Sequence, residues 1–274
     1  MNNFVKRTLS GFIFVTLIIS SILLSPFTFA LVFAVICGWT VFEFHKISNH
    51  RPTINVNPLI ALISSVILFL CSFLYASGKC YYPVYAIYGV FIIVVLIYEL
   101  FQHKINPLHN WAYFVLGQVF FALPFSLLNF ILYINNWNPL ILLAVFVTIW
   151  VNDTGAYLIG VTFGKHRMFE RISPKKSWEG FAGGAIAALI SGYIFSVFNQ
   201  QLSLITWLFF SEIIVIFGTI GDLMESLIKR TLEVKDSGNV IPGHGGLLDR
   251  FDSMLLVAPV IFIYLSLLFY QIVK

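Results

Sequence analysis

Long apolar runs separated by short polar stretches constrain the fold of this chain more than any other feature. Nine runs lie near residues 9–24, 27–44, 58–76, 82–98, 111–132, 139–152, 179–197, 202–221 and 254–272. A helix of roughly 20 apolar residues crosses the hydrocarbon core of a bilayer. Because lipid offers backbone amides no hydrogen-bond partner, such runs must be helical. The sequence therefore predicts an all-α, polytopic integral membrane protein with about nine transmembrane helices.

Composition supports this class and excludes disordered, fibrous and disulfide-rich proteins. Charged residues make up 10% of the 274 residues, whereas a soluble domain carries about 25%. The three cysteines lack metal-binding or disulfide spacing and are interpreted as packing residues. The sixth run is short for a full crossing, and the first is interpreted as a retained helix rather than a signal peptide. We expect a single domain over residues 1–274.

The distribution of basic residues predicts the orientation. With the N-terminus in the cytoplasm and nine crossings, every Lys and Arg except Lys79 and Lys274 falls on the cytoplasmic side. Cytoplasmic loops of membrane proteins carry an excess of Lys and Arg, so the opposite orientation is disfavoured. The protein is expected in the cell (inner) membrane, with its N-terminus and a polar active site facing the cytoplasm.

Two long polar segments, 153–178 and 222–253, are predicted to lie on that cytoplasmic side. In the second, acidic residues outnumber basic ones although it lies on the basic side of the membrane. Such carboxylates are costly unless a divalent metal and phosphate neutralise the mixed charges. The alternative is a solvated loop whose charges pair as ordinary surface salt bridges.

The spacing within 222–253 favours a binding site. Asp222, Glu225, Ser226, Lys229 and Arg230 share one face of a helix that continues from the eighth run. The spacing recurs at Asp249, Asp252 and Ser253, where the ninth run begins. Between the two sets, glycines that include Gly245 and Gly246 predict a tight loop with exposed amides, suited to approaching phosphate.

Several other polar residues have two interpretations each. Lys175 and Lys176 fit either a phosphate site or a topology signal that binds anionic headgroups. Asp153 is either a functional acid or a helix-end cap. His244 would contact phosphate or cap its turn. Glu212, deep in the eighth run, is either functional or hydrogen-bonded to a neighbouring helix.

Residues 226–230, 235–238 and 241–252 together resemble the signature of the phosphatidate cytidylyltransferase (CDP-diacylglycerol synthase) family. They read SLIKR, KDSG and IPGHGGLLDRFD, with no departure from the family pattern. Residues 152–157 and 173–184 are also similar to the family. The resemblance implies a reaction of CTP with phosphatidate that gives CDP-diacylglycerol and pyrophosphate with Mg²⁺, a second metal ion being compatible.

The resemblance, combined with the spacing, assigns expected roles. Asp222 and Asp249 are the predicted metal ligands, with Asp236 and Asp153 as second choices. Lys229, Arg230, Lys235 and Arg250 are predicted to hold the lipid phosphate and the leaving pyrophosphate. The complete set of predicted catalytic residues is Asp222, Lys229, Arg230, Lys235, Asp236, His244, Asp249 and Arg250. The predicted substrate-binding residues are Asp153, Lys175, Lys176, Ser226, Gly245 and Gly246.

The expected partners are CTP, phosphatidate and the lipid bilayer. No nucleic-acid partner is expected, and a homodimer is compatible with the sequence. Two alternatives differ in substrate or class: a CTP-dependent enzyme acting on another membrane lipid, and a membrane transporter. The transporter is disfavoured because transporters usually bind substrate near the bilayer midplane, whereas here the polar residues gather at one membrane face.

Overall fold

The computed structural model describes residues 3–240 and 245–272. Within them most of the chain is helical. The helices are α1 (Asn3–Leu24), α2 (Pro26–Ser48), α3 (Pro58–Ala76), α4 (Tyr85–Leu100), α5 (Pro107–Gly117), α6 (Leu123–Leu132), α7 (Pro139–Phe163), α8 (Trp178–Phe198), α9 (Leu204–Thr231) and α10 (Met254–Ile272). A short π-helical segment, Gln118–Ala122, joins α5 to α6 into one continuous apolar stretch. Several helices begin with proline at their first position, where a missing amide hydrogen costs nothing.

Seven helical stretches within the described residues are long and apolar enough to cross a membrane. Two further apolar helices, Thr8–Leu24 and Met254–Phe269, are shorter. The protein is therefore a multi-pass membrane protein with a helical fold, as predicted. The count of nine crossings stays a prediction, because it depends on those two shorter helices.

The all-α class is as predicted, with one element that the sequence did not indicate. Arg167–Phe169 (β1) and Ser173–Ser177 (β2) form a small antiparallel hairpin between α7 and α8. One predicted boundary was wrong. The sixth run does not end at residue 152, since α7 continues to Phe163 and is 25 residues long. The polar residues after Trp150 lower the hydropathy without interrupting the backbone hydrogen bonds of the helix. Asp153 therefore lies inside a helix and is not a helix-end cap.

Small residues let α7 and α8 pack closely, which positions the polar end of both helices. A Cβ atom added at Gly155 would lie 2.8 Å from Ala187 Cβ and 2.9 Å from the Gly183 carbonyl oxygen. Only glycine fits such an approach between helices, and small residues are typical of helix contacts in membranes. The close contact brings Asp153 on α7 near the hairpin that precedes α8.

Polar contacts gather several helix ends at one end of the helical bundle. Lys176 on β2 forms an ion pair with Asp222 near the end of α9. Glu43, near the end of α2, contacts Ser237 and Leu248 in the segment between α9 and α10. Arg51, just after α2, pairs with Glu233, just after α9. The segments predicted to face the cytoplasm thus share one end of the bundle.

Cysteine labelling tests the predicted orientation with an internal control. Cys80 is exposed and follows α3, so it should lie outside the cell and react with a membrane-impermeant maleimide in the native protein. Asn239 is exposed in the segment after α9. In a Cys80→Ser background, Asn239→Cys should stay unlabelled until the cells are permeabilised. Labelling of Asn239→Cys in intact cells, with no labelling of Cys80, would reverse the orientation.

Candidate active site

Three carboxylates meet at the polar end of α9. Asp222 and Glu225 lie one helical turn apart on α9, and Asp252 lies just before α10. One oxygen from each lies within 4.8 Å of the other two. Glu225 is fully buried, and its Oε1 has no hydrogen-bond partner among the described residues. We refer to Asp222, Glu225 and Asp252 as the carboxylate cluster.

The carboxylate cluster fits a hard divalent cation. Carboxylate oxygens are the preferred ligands of Mg²⁺. A buried, unpartnered oxygen such as Glu225 Oε1 is costly unless something satisfies it. Burial, and then the charges of Asp222, Glu225 and Asp153, raises the pKa of Asp252 well above its usual value. Ionising all three carboxylates is therefore costly unless a cation joins them.

The charged groups around the cluster include more acids than bases. The acids are Asp153, Asp222, Glu225, Asp249 and Asp252, and the bases are Lys175, Lys176, Lys229 and Arg250. A bound cation would offset the excess of acids.

Lys229 lies between the cluster and Asp249. Its Nζ is 2.6 Å from Glu225 Oε2 and 2.7 Å from Asp249 Oδ1. The side chain of Lys229 is only 13% exposed. Lys229 therefore neutralises two buried carboxylates rather than projecting freely toward a substrate phosphate.

Asp249 anchors the glycine-rich loop, a name that we use for residues 237–240 and 245–248. Its Oδ2 accepts hydrogen bonds from the amides of Ser237 (3.0 Å) and Gly246 (2.9 Å), and it lies 3.0 Å from Ser237 Oγ. Burial alone would raise the pKa of Asp249, but the hydrogen bonds from Lys229, Ser237 and Gly246 outweigh it and hold the pKa below its usual value. Gly245 adopts a positive φ of 83° beside this carboxylate, a conformation that favours glycine.

A cavity of about 310 Å³ lies between α7, α8, α9 and the hairpin. Its polar lining includes Asp153, Lys175, Lys176 and Asp222, and its apolar lining includes Tyr157, Met168 and Phe181. Lys176 Nζ is 2.6 Å from Asp222 Oδ2, which joins the basic side of the cavity to the carboxylate cluster. Ser226 Oγ donates to Asp222 Oδ1 at 3.3 Å. The volume lies at the lower end of the range for small-molecule sites.

The model of the cytidylyltransferase family matches residues 5–268, nearly the whole chain. This protein belongs to that family. Similar proteins include a phosphatidate cytidylyltransferase of Bacillus subtilis, 37% identical over 180 residues that cover 64% of this chain and 66% of the relative. Proteins of the same name from Staphylococcus saprophyticus and Staphylococcus aureus are 46% and 45% identical, over segments that cover 45% of this chain and 48% of each relative. The aligned segments thus span about half to two thirds of these relatives.

The structure of this family member brings together only part of the predicted site. Asp153, Lys175, Lys176 and Asp222 meet at the cavity, and Ser226 contacts Asp222. Lys229, Asp249, Gly245 and Gly246 meet at the glycine-rich loop, where the Gly246 amide faces Asp249 rather than open space. Arg230, Lys235 and Asp236 are exposed on or after the end of α9. Arg250 is exposed and interacts electrostatically with Asp153. His244 lies outside the described residues.

Three functional candidates were missing from the predicted site. Glu225 lies three residues after Asp222, and Asp252 lies three residues after Asp249. This repeated spacing was a sequence signal for both residues. Only their convergence in space distinguishes them from surface acids. Glu43 had no local signal, because its partners Ser237 and Leu248 lie 194 and 205 residues further along the chain.

Proposed function

We propose that this protein transfers the cytidylyl group of CTP to phosphatidate, giving CDP-diacylglycerol and pyrophosphate at the cytoplasmic face of the cell membrane. The observation that carries the proposal is the carboxylate cluster at a cavity rimmed by Lys175 and Lys176, in a chain of the cytidylyltransferase family. Relatives named phosphatidate cytidylyltransferase support this choice of substrates.

The proposed chemistry requires no protein nucleophile. A phosphate oxygen of phosphatidate forms a bond to the α-phosphorus of CTP, and the bond from that phosphorus to the oxygen bridging to the β-phosphate breaks. Both reactants are anions, so catalysis consists mainly of positioning and charge neutralisation. Lys175, Lys176 and Arg250 supply positive charge around the cavity, and its apolar side chains contact the less polar parts of the substrates.

We infer that Asp222, Glu225 and Asp252 hold Mg²⁺. When bound, the ion would neutralise phosphate oxygens and the charge that develops on the leaving pyrophosphate. Asp249, one of the two ligands predicted from the sequence, already has donors on both oxygens, and its direct role as a ligand stays a prediction. The second metal ion and the homodimer also stay predictions.

A panel of lipid acceptors tests the proposed substrates. Purified protein in detergent micelles, with labelled CTP and Mg²⁺, should form a labelled CDP-lipid with phosphatidate. It should form far less with a polyprenyl phosphate or an archaeal-type ether lipid of equal charge. A preference for one of those lipids would replace phosphatidate as the substrate. Labelled solute uptake by proteoliposomes without any CDP-lipid would favour the transporter.

Arg230→Lys tests the predicted role of an exposed residue. No hydrogen bond or ion pair joins the Arg230 side chain to another residue in the described part of the chain. If Arg230 grips a phosphate with two hydrogen bonds, lysine keeps the charge but loses the planar pair of donors. We expect the activation free energy to rise by about 1–3 kcal/mol, which lowers kcat/KM accordingly. A silent Arg230→Lys beside an inactive Arg230→Ala would leave only an electrostatic role.

A further inference from the structure

Helix α2 brings a buried carboxylate, Glu43, to the glycine-rich loop. Glu43 is only 3% exposed. Its Oε2 accepts a hydrogen bond from the Leu248 amide at 2.9 Å and lies 3.1 Å from Ser237 Oγ. Its Oε1 accepts a hydrogen bond from the Trp39 indole at 3.3 Å. Two of these three donors belong to the segment 237–248, so the loop supplies most of the polar environment of this carboxylate.

Because Glu43 is buried, the cost of burying its carboxylate depends on the conformation of the loop. A buried carboxylate is costly unless hydrogen bonds replace its hydration. If the loop moved away, Glu43 would lose Leu248 and Ser237 and would have to be rehydrated at the end of a helical bundle. The folded loop and the buried carboxylate therefore stabilise each other.

The glycines of the loop are fitted to Glu43. A Cβ atom at Gly238 would lie 2.6 Å from Glu43 Oε1, and one at Gly246 would lie 2.6 Å from Glu43 Oε2. Both distances are shorter than non-bonded carbon–oxygen contacts allow. The loop backbone thus packs directly on the carboxylate, which gives these two glycines a role besides approaching phosphate.

Ser237 connects Glu43 to the carboxylate cluster. Its hydroxyl lies 3.1 Å from Glu43 Oε2 and 3.0 Å from Asp249 Oδ2. The hydroxyl has one proton and donates to one carboxylate at a time. Asp249 in turn pairs with Lys229, and Lys229 pairs with Glu225 of the cluster. A continuous series of polar contacts therefore runs from α2 to the cluster.

We propose that Glu43 is a positioning residue that holds residues 237–240 and 245–248 in place, so that Asp249 keeps its ion pair with Lys229 and Lys229 keeps its ion pair with Glu225. Glu43 thereby sets the Mg²⁺ affinity of the carboxylate cluster. Its effects on Mg²⁺ binding and on turnover rest on the proposed function. Its effect on the loop does not.

Amide hydrogen exchange in detergent micelles tests the effect on the loop. In Glu43→Gln, peptides covering 237–248 should exchange about 10-fold faster or more, because the amide of glutamine has one acceptor oxygen instead of two and that oxygen accepts weaker hydrogen bonds than a carboxylate. Glu99→Gln is the matched control. Glu99 is a buried carboxylate near the end of α4 that pairs with Lys104 and Asn110, away from the loop. It should leave exchange at 237–248 unchanged.

Direct Mg²⁺ titration tests the effect on the cluster. Glu43→Gln should weaken Mg²⁺ binding by roughly 10-fold to 100-fold, the usual effect of removing a group that supports metal ligands. Ser237→Ala should act in the same direction, because it removes the same link from the other side. The loss of Mg²⁺ binding free energy in the double variant should be smaller than the sum of the losses in the two single variants, since both substitutions disrupt the same contact. The Mg²⁺ concentration for half-maximal CDP-lipid formation should shift in parallel.

Several outcomes would overturn this proposal. Unchanged exchange at 237–248 in Glu43→Gln would show that the carboxylate does not hold the loop. Faster exchange with unchanged Mg²⁺ affinity would make Glu43 a purely structural residue. If Glu43→Gln fails to fold, Ser237→Ala carries the same two measurements. A native protein that makes no CDP-lipid would refute the proposed function, while exchange and Mg²⁺ titration would still decide the role of Glu43.

Discussion

Asp252→Asn should lower turnover by roughly 10²-fold or more and raise the Mg²⁺ concentration needed for half-maximal rate. The magnitude is that of removing a main electrostatic contributor to the transition state. Asp222→Asn should behave in the same way. Asparagine keeps the size of the side chain but loses the charge that attracts the metal. The measurement is the initial rate of CDP-lipid formation over a Mg²⁺ titration.

The same variants separate metal ligands from structural acids. Asp252 lies among like charges, so Asp252→Asn should not lower the thermal stability of the metal-free protein. Asp249 is held by Lys229, Ser237 and Gly246, so Asp249→Asn should lower it. Glu233→Gln is the control, because Glu233 is an exposed acid that follows α9 and pairs only at the surface with Arg51. Normal turnover of Asp252→Asn at low Mg²⁺ would remove Asp252 from the ligand set.

Lys229→Met should be strongly destabilising as well as inactive. The side chains that flank Lys229 are buried, with Glu225 0% and Asp249 8% exposed. Removing one partner of a buried ion pair leaves an uncompensated charge, which costs about 3–5 kcal/mol in the free energy of unfolding. Denaturant titration in detergent micelles measures this loss. Added Mg²⁺ should recover part of it, because the metal would neutralise Glu225.

Arg230→Met provides the matched control for Lys229→Met. Arg230 is the next residue on α9 but is exposed. Its removal should leave the free energy of unfolding within about 0.5 kcal/mol of the native value, as for ordinary surface substitutions. Equal stability of the Lys229→Met and native proteins would show that Lys229 does not hold the two carboxylates together. It would favour the role predicted from the sequence, in which Lys229 binds a substrate phosphate.

Hydropathy predicted the helices well because burial in lipid leaves the backbone no alternative to helical hydrogen bonds. It failed at the polar end of α7. The polar residues that follow Trp150 predict where apolar sequence ends, whereas the helix continues to Phe163 because α8 packs closely against Gly155. The hairpin of β1 and β2 was missed because strands of three and five residues carry too little pattern.

Spacing along one helix predicted part of the candidate site. It placed Asp222, Ser226 and Lys229 on a shared face, and the structure has them on one helix with contacts to one another or to the cluster. It could not distinguish Asp249 from Asp252, because both lie at the same boundary and only the fold turns one toward Lys229 and the other toward Asp222. Contacts between distant segments, such as that of Glu43 with Leu248, leave no periodic signal in a single sequence.

The most direct test of the central claim follows the two ends of the CTP triphosphate separately. The purified protein is given phosphatidate, Mg²⁺ and CTP labelled with ³²P at either the α- or the γ-phosphate. Cytidylyl transfer predicts that the α-label enters the lipid while the γ-label leaves as pyrophosphate, and that Asp252→Asn suppresses both. Entry of the γ-label into the lipid, or absence of label from the lipid in both cases, would contradict cytidylyl transfer at the carboxylate cluster.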